Sequence, residues 1–280
     1  MAADPQMIVH FIGNAGTGKT TLMANVAAQG GYTLPPMGFR RILSAADWML
    51  PIALPLVWPI GCKLSPCNRK GKNGPSPWAW TQSVAMQRAR QQVLTRGQVC
   101  LVDQGMTNML RRHANESAES MLDDLPLPDI VVNVTAPSAV RKARIVTRDK
   151  PDDAPSRHLS GDRALEVGGN HARQWLALYG AEQAMHYLRV WSQWQCRPEL
   201  DDNELRSLLE RARETPLIEK DEAALRCEPL PQSWRWLHDG YVERGVKWIN
   251  VVNDGREAPE ALAVGIVQEI NRLKGNVSSE

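Results

Sequence analysis

A chain of 280 residues with 43% hydrophobic side chains has the ordinary make-up of a soluble globular protein, long enough for one large α/β domain or one domain with a sizeable insertion. Its longest apolar stretch, residues 48–62, carries three prolines and falls short of the roughly 20 residues a membrane-spanning helix needs; no secretory signal opens the chain; and five cysteines without framework spacing argue for a reduced, cytoplasmic setting (the host cytoplasm for a viral protein). The net charge of +2 conceals an asymmetry, because residues 1–102 hold ten Lys/Arg against only Asp4 and Asp47 while the remainder is acidic, so an anionic partner near the N-terminal half is expected, either nucleotide phosphates or a larger polyanion.

Met7-Ile8-Val9-His10-Phe11-Ile12 reads as a short buried strand, and Thr20 to Gln29 as a helix stopped by Gly30-Gly31. Residues 32–80 are proline-rich and irregular, an insertion rather than a regular αβ unit. Thr81 to Arg96 has the apolar spacing of a helix, and Gln98 to Asp103 that of a buried strand ending on an acid. Pro128 to Val134 is a further strand, followed by a helix from Ser138, as a serine cap, to Arg148. Residues 149–160 form a loop, and a long helix is expected from Ala164 to Gln195, with Trp175, Leu178, Met185, Leu188 and Trp191 at intervals of one or two turns. A shorter helix, Asn203 to Arg213, stands behind an Asp201-Asp202 cap, while residues 214–245 are ambiguous. Val246 to Val252 is a last strand and Pro259 to Leu273 a last helix, with Gly275–Glu280 as a frayed tail. Strands alternating with helices imply a mostly parallel sheet covered on both faces, with ligands outside the carboxyl ends of its strands.

The segment between the first strand and helix carries the chemistry. Gly13-Asn14-Ala15-Gly16-Thr17-Gly18-Lys19-Thr20 matches the pattern G-x-x-x-x-G-K-[ST] in full, with Thr21 directly after it. Glycines let such a loop curl its N–H groups onto phosphate oxygens. Lys19 then reaches the β- and γ-phosphates, and the Thr20 hydroxyl binds Mg²⁺. The following helix turns its positive dipole end toward the same phosphates. A nucleoside triphosphate, ATP with Mg²⁺, is therefore the expected cofactor. Asp103 closes its strand where an acid meets Mg²⁺ or the attacking group, although an Asp-Gln-Gly turn would also place an Asp there. Arg141, Arg144 and Arg148 share one helix face, and Arg157 and Arg163 lie just beyond; such arginines either stabilise a moving phosphoryl group or form a solvated basic face. Cys62 and Cys67 read as free thiols.

On these residues the chain resembles the thymidylate kinase and deoxynucleoside kinase group of phosphate-loop kinases. The resemblance rests on the loop with Lys19-Thr20-Thr21, on the helix leading to Gly97 and the strand ending at Asp103, on Val132 to Pro137 followed by Arg144 and Arg148, and on the final strand and helix. Together these cover about half of the chain, in the expected order. The resemblance implies an α/β P-loop NTPase fold, a mostly parallel sheet flanked by helices, in one kinase domain over residues 1–280. An acceptor-side insertion would span 32–80, and a lid with a helical extension 149–245. The implied activity is transfer of the γ-phosphate to a hydroxyl or phosphate of a nucleoside-like acceptor, with Arg144, Arg148 and Arg157 as lid arginines. Asp103-Gln104 stands where the group has Asp-Arg or Glu-Arg, and the insertion replaces part of its second strand, so both departures fall on the acceptor side. Asp47 reads either as the general base or as the cap of a short turn.

The insertion leaves several acceptors open. Trp48, Trp58, Trp78 and Trp80 beside Lys63, Arg69, Lys70 and Lys72 would suit stacking on bases, with the acceptor a hydroxymethylated base within DNA, as in viral-type DNA modification. The same residues read as an apolar-then-basic membrane-surface segment serving a glycan or lipid-linked acceptor, or as a packed lid over a small nucleoside pocket. A nucleotide-switched binding protein is the non-enzymatic alternative. No Asn-Lys-x-Asp of a guanine-reading switch is present.

Overall fold

The computed structural model describes residues 7–34, 99–103, 122, 127–147, 159–228, 230 and 232–277. The insertion beyond residue 34, the helix expected over 81–96, Cys62, Cys67, Asp47, Arg148 and Arg157 lie outside the described residues.

Four strands, β1 (Met7–Ile12), β2 (Val99–Asp103), β3 (Ile130–Thr135) and β4 (Lys247–Val252), form one parallel sheet in the order β2-β1-β3-β4. The register sets Met7 beside Val99, Val9 beside Ile130 and Ile130 beside Lys247. Thr33 extends the layer with an isolated parallel bridge to Cys100. Helices cover both faces, which is why β1, β2 and β3 read as apolar runs instead of alternating. On one face Val9, Phe11, Leu101, Ile130, Val132 and Val134 pack against Leu22 and Val26 of α1 (Lys19–Gly30) and Ala263, Ile266 and Ile270 of α7 (Pro259–Val277). On the other, Ile12 and Val131 pack against Trp234, Leu237 and Tyr241 of α6 (Gln232–Glu243). The buried Asn133 is satisfied by donating from Nδ2 to Asn250 Oδ1 at 3.0 Å, and Trp248 Nε1 donates to the same oxygen at 3.0 Å. Helix α7 continues to Val277, past the end expected from its apolar spacing.

Between β3 and α6 in chain order come the helices α2 (Ser138–Val146), α3 (Gly161–Gln195), α4 (Asp202–Glu214) and α5 (Glu219–Ala224). Pro137, not Ser138, occupies the N-cap of α2, and no side chain caps it, since a proline fixes the entry of the chain instead. At α4 the expected acidic cap is present. Asp201 accepts from the Asn203 and Glu204 amides, both at 2.8 Å, and Glu204 Oε2 accepts from the Asp201 amide at 2.8 Å, a reciprocal capping box.

The single long helix expected over 164–195 is corrected to a hairpin. Gly180 has φ 78° and ψ 177°, which lies outside any helical region. The rings of His171 and Trp191 meet at a centroid distance of 5.2 Å, whereas that spacing in one straight helix would part them by about 30 Å. Residues 181–195 therefore fold back along 161–179, and the aromatic spacing that suggested one helix is the facing surface of two. Trp175, Leu188 and Trp191 join Ala143 and Val146 of α2 and Leu205, Leu208 and Leu209 of α4 in a third core cluster. Gly168 permits this approach, because a Cβ there would lie 2.8 Å from a Leu208 methyl. Asp221 of α5 is fully buried and paired: Arg173 Nε donates to it at 2.6 Å and Gln174 Nε2 at 3.0 Å. Among the described residues no helix is long and apolar enough to cross a membrane.

His171 stacks on Trp175 at 4.7 Å, and its Nδ1 has no hydrogen-bond partner among the described residues. Burial, helped by nearby Lys142 and opposed by Asp221, holds its pKa down to about 3. The folded state thus keeps a neutral ring that the unfolded chain protonates below its ordinary value of about 6.5. Stability should be complete above that value and fall with pH toward 3, by about 2 kcal/mol at pH 5. Urea melts of wild type and His171→Phe at pH 7.5 and pH 5 would check this; the variant should lose most of the acid sensitivity.

Candidate nucleotide-phosphate site

The G-x-x-x-x-G-K-T segment links the carboxyl end of β1 to the N-terminus of α1. Gly16 and Gly18 adopt φ of 81° and 77°, in the region L side chains avoid, and neither has room for one. A Cβ on Gly16 would lie 2.5 Å from the Arg141 carbonyl oxygen, and one on Gly18 2.6 Å from Asn253 Nδ2.

Those neighbours orient the loop. Arg141 Nε donates to the Ala15 carbonyl at 3.2 Å. Arg144 Nη1 and Asn253 Nδ2 both donate to the Thr17 carbonyl, at 3.3 and 2.9 Å. In a trans peptide the C=O and the next N–H point opposite ways. Holding the Ala15 and Thr17 carbonyls outward therefore aims the Gly16 and Gly18 N–H groups into the concave side of the loop. Helix α1 adds its own donors, since its first-turn N–H groups have no intrahelical acceptor. Its N-cap Gly18 offers no side-chain cap, and no acid stands in its first turn. An anion fits this cradle.

Lys19, 8% exposed, forms an ion pair with Asp103, and Thr20 Oγ1 donates to the other Asp103 oxygen at 3.4 Å. The register of β1 and β2 accounts for the meeting, because Asp103 is the partner of Phe11, just ahead of the loop. A hydroxyl and one carboxylate are hard oxygen donors of the kind Mg²⁺ accepts. That ion usually takes one or two protein ligands and completes its shell with water and phosphate oxygens. Among the described residues no cluster of three or more His, Cys, Asp or Glu offers an all-protein cage instead.

Of Arg144, Arg148 and Arg157, only Arg144 lies among the described residues. Arg144 is committed to the outside of the loop. Besides Thr17 it donates to the Asn253 carbonyl at 3.1 Å and, through Nη2, to Asn253 Oδ1 at 3.0 Å. Burial lowers its pKa, opposed by Tyr179 and Tyr187 of the α3 hairpin and by Asp254. Arg141 is bound to the loop as well, with Glu228 Oε2 at 3.4 Å from its Nη1. Thr21 is exposed on α1. Nothing local in the sequence brings Asn253 to the loop. Following a strand and preceding Asp254-Gly255, it reads as a turn. What brings it to the loop is the strand order, with β4 two places from β1, and its amide donates to the Thr135 carbonyl at 2.8 Å.

A parallel sheet covered by helices, with a glycine-rich phosphate loop leading into α1 and an acid at the end of the neighbouring strand, is an α/β fold of the P-loop NTPase class. Neither protein-family models nor curated proteins match the chain. Among solved structures it is similar to the deoxyadenosine kinase of M. mycoides with bound dCTP, at 9% identity and a TM-score of 0.34 over 95% of this chain and 100% of that one. It is also similar to the EHV4 thymidine kinase complexed with Thy and ADP, at 13% identity and a TM-score of 0.40 over 96% of this chain and 90% of that one.

Proposed function

We propose that the protein is an ATP–Mg²⁺-dependent phosphotransferase that moves the γ-phosphate to a hydroxyl or phosphate of a nucleoside-like acceptor. The observation that carries this reading is the convergence of Lys19, Thr20 and Asp103 at the N-terminus of α1. The loop amides bind the phosphates. Lys19 neutralises charge on the β- and γ-phosphates, exchanging Asp103 for phosphate oxygens as the nucleotide enters. Thr20 and Asp103 hold Mg²⁺, which supplies charge stabilisation at the transferring group. The acceptor oxygen forms a bond to the γ-phosphorus while the bond to the β–γ bridging oxygen breaks and ADP leaves. When the acceptor is a hydroxyl, its proton passes to a carboxylate, Asp47 or Asp103. Arg144 and Arg141 support the loop, which leaves Arg148 and Arg157 to meet the phosphoryl group from the lid.

ADP release from ATP–Mg²⁺ against a panel of nucleosides, nucleoside monophosphates, sugars, and plain or hydroxymethylated DNA tests the reading. One class should accelerate turnover in wild type and not in Lys19→Ala. Slow turnover that no acceptor accelerates would instead favour a nucleotide-gated binding role. If DNA is the acceptor, through the basic Trp-rich segment, its affinity should fall with salt on a log–log slope. Liposome flotation tests the lipid-linked alternative.

Asp103→Asn keeps the shape of the side chain and removes its charge. It should raise the Mg²⁺ concentration for half-maximal turnover on the order of tenfold or more, since even outer-shell partners of metal ligands are worth that much. Turnover measured across a Mg²⁺ series checks this.

A further inference from the structure

Asn253 touches the loop at one bond and α2 at two, and neither contact is needed to build the sheet. It is 3% exposed and fully engaged. Its Nδ2 donates to the Thr17 carbonyl at 2.9 Å, its Oδ1 accepts from Arg144 Nη2 at 3.0 Å, and its carbonyl accepts from Arg144 Nη1 at 3.1 Å. Its backbone N–H is fixed by Thr135 at the end of β3. The Arg144 guanidinium lies against two glycines: a Cβ on Gly18 or on Gly255 would each stand in ordinary van der Waals contact, 3.5 Å from one of its nitrogens. Gly18, Asn253, Arg144 and Gly255 thus form one packed unit on the outer side of the loop. From three separate elements, that unit turns a single peptide plane, the one joining Thr17 to Gly18.

We propose that Asn253 is a positioning residue of the nucleotide site: with Arg144 it pins the Thr17 carbonyl outward and so presets the Gly18 N–H to receive a phosphate oxygen. If the loop binds nucleotide, as proposed above, the end of β4 then sets how well the loop holds phosphate without touching it. The arrangement is preorganised, because the donors stand in place before the anion arrives and no peptide has to rotate on binding. Loss of the Asn253 amide would free that plane to turn, and the Thr17 carbonyl would then compete with phosphate for the concave side.

Asn253→Asp is the sharpest test. It is isosteric and keeps an acceptor for Arg144, but it replaces the donor to Thr17 with an oxygen that repels the carbonyl. Asn253→Ala removes both bonds. Two measurements are needed on wild type, both variants and Lys19→Ala. One is ADP–Mg²⁺ affinity by calorimetry; the other is amide hydrogen exchange of the nucleotide-free protein, compared between residues 13–20 and the strand and helix segments 7–12 and 261–270. The expected result is ADP binding weaker by about tenfold or more in Asn253→Asp, with exchange faster in 13–20 and unchanged in the two reference segments. Wild-type affinity and wild-type exchange in 13–20 would overturn the proposal. So would exchange raised equally in all three segments, which marks a general packing role. If Asn253→Ala does not fold, the isosteric variant carries the test. If wild type and Lys19→Ala bind ADP equally, or not at all, the nucleotide reading fails, and the exchange comparison still decides whether Asn253 sets the loop.

Discussion

Lys19→Ala is expected to abolish phosphotransfer, with a loss of at least about 100-fold in turnover, while the protein unfolds at nearly the wild-type temperature. The two halves of this result have separate causes. For chemistry, Lys19 is the loop's own cation at the N-terminus of α1, and the phosphate charge that builds up during transfer would be left to the amides and the metal. For stability, its partner Asp103 is 38% exposed at the end of β2, so the carboxylate regains water when the ammonium is removed. Lys19 itself is 8% exposed, so the pair is open to solvent on the Asp103 side alone, and solvent-exposed ion pairs contribute about 0–1 kcal/mol. Turnover with the best acceptor, measured beside a thermal melt, checks both parts. Appreciable remaining activity would sink the assignment of the loop as the catalytic phosphate site.

Trp175→Ala should give the largest loss of stability. The side chain is fully buried, stacks on His171, meets Tyr187 edge-on at 5.7 Å, and its Nε1 donates to the Ala139 carbonyl at 3.1 Å. Truncating a buried aromatic costs about 3–5 kcal/mol. Trp175→Phe keeps most of the buried ring and removes one hydrogen bond to the Ala139 carbonyl, which retains its place in the α2 ladder, for about 0.5–1.5 kcal/mol. Denaturant melts would rank the two. Because Ala139 lies in the first turn of the helix that carries Arg141 and Arg144, both variants should also weaken nucleotide binding if the loop holds nucleotide. Equal nucleotide affinity in all three proteins would separate the third core cluster from the site.

What the sequence revealed depended on how local each determinant is. The strand Met7–Ile12, the loop and α1 follow from neighbouring residues, and the structure places them where the pattern does. Asp103 was legible because an acid ending an apolar run beside such a loop has a physical reason to be there. The hairpin was not. Gly180 is one of several glycines among strong helix formers, and the Trp and Leu spacing of 164–195 fits one helix and two facing helices equally well. The positive φ at Gly180 and the contacts of His171 with Trp191 and of Trp175 with Tyr187 distinguish them. Helix α6 was lost in an ambiguous stretch because its partners, Ile12 and Val131, belong to strands far away in the chain. Arginines on α2 were legible as a shared face but not in their orientation. Arg141 and Arg144 grip the carbonyl side of the loop because α2 runs alongside it, which is a fact of packing.

The nine-residue helix α2 has a consequence for the distribution of stability. One side of it grips the phosphate loop; the other is built into the core of the hairpin and α4. Thermodynamic coupling runs equally in both directions. If the loop binds nucleotide as proposed, its occupancy is expected to protect residues 161–214 against local opening, and a partner or protease that engages the hairpin would then read the occupancy of a site it never touches.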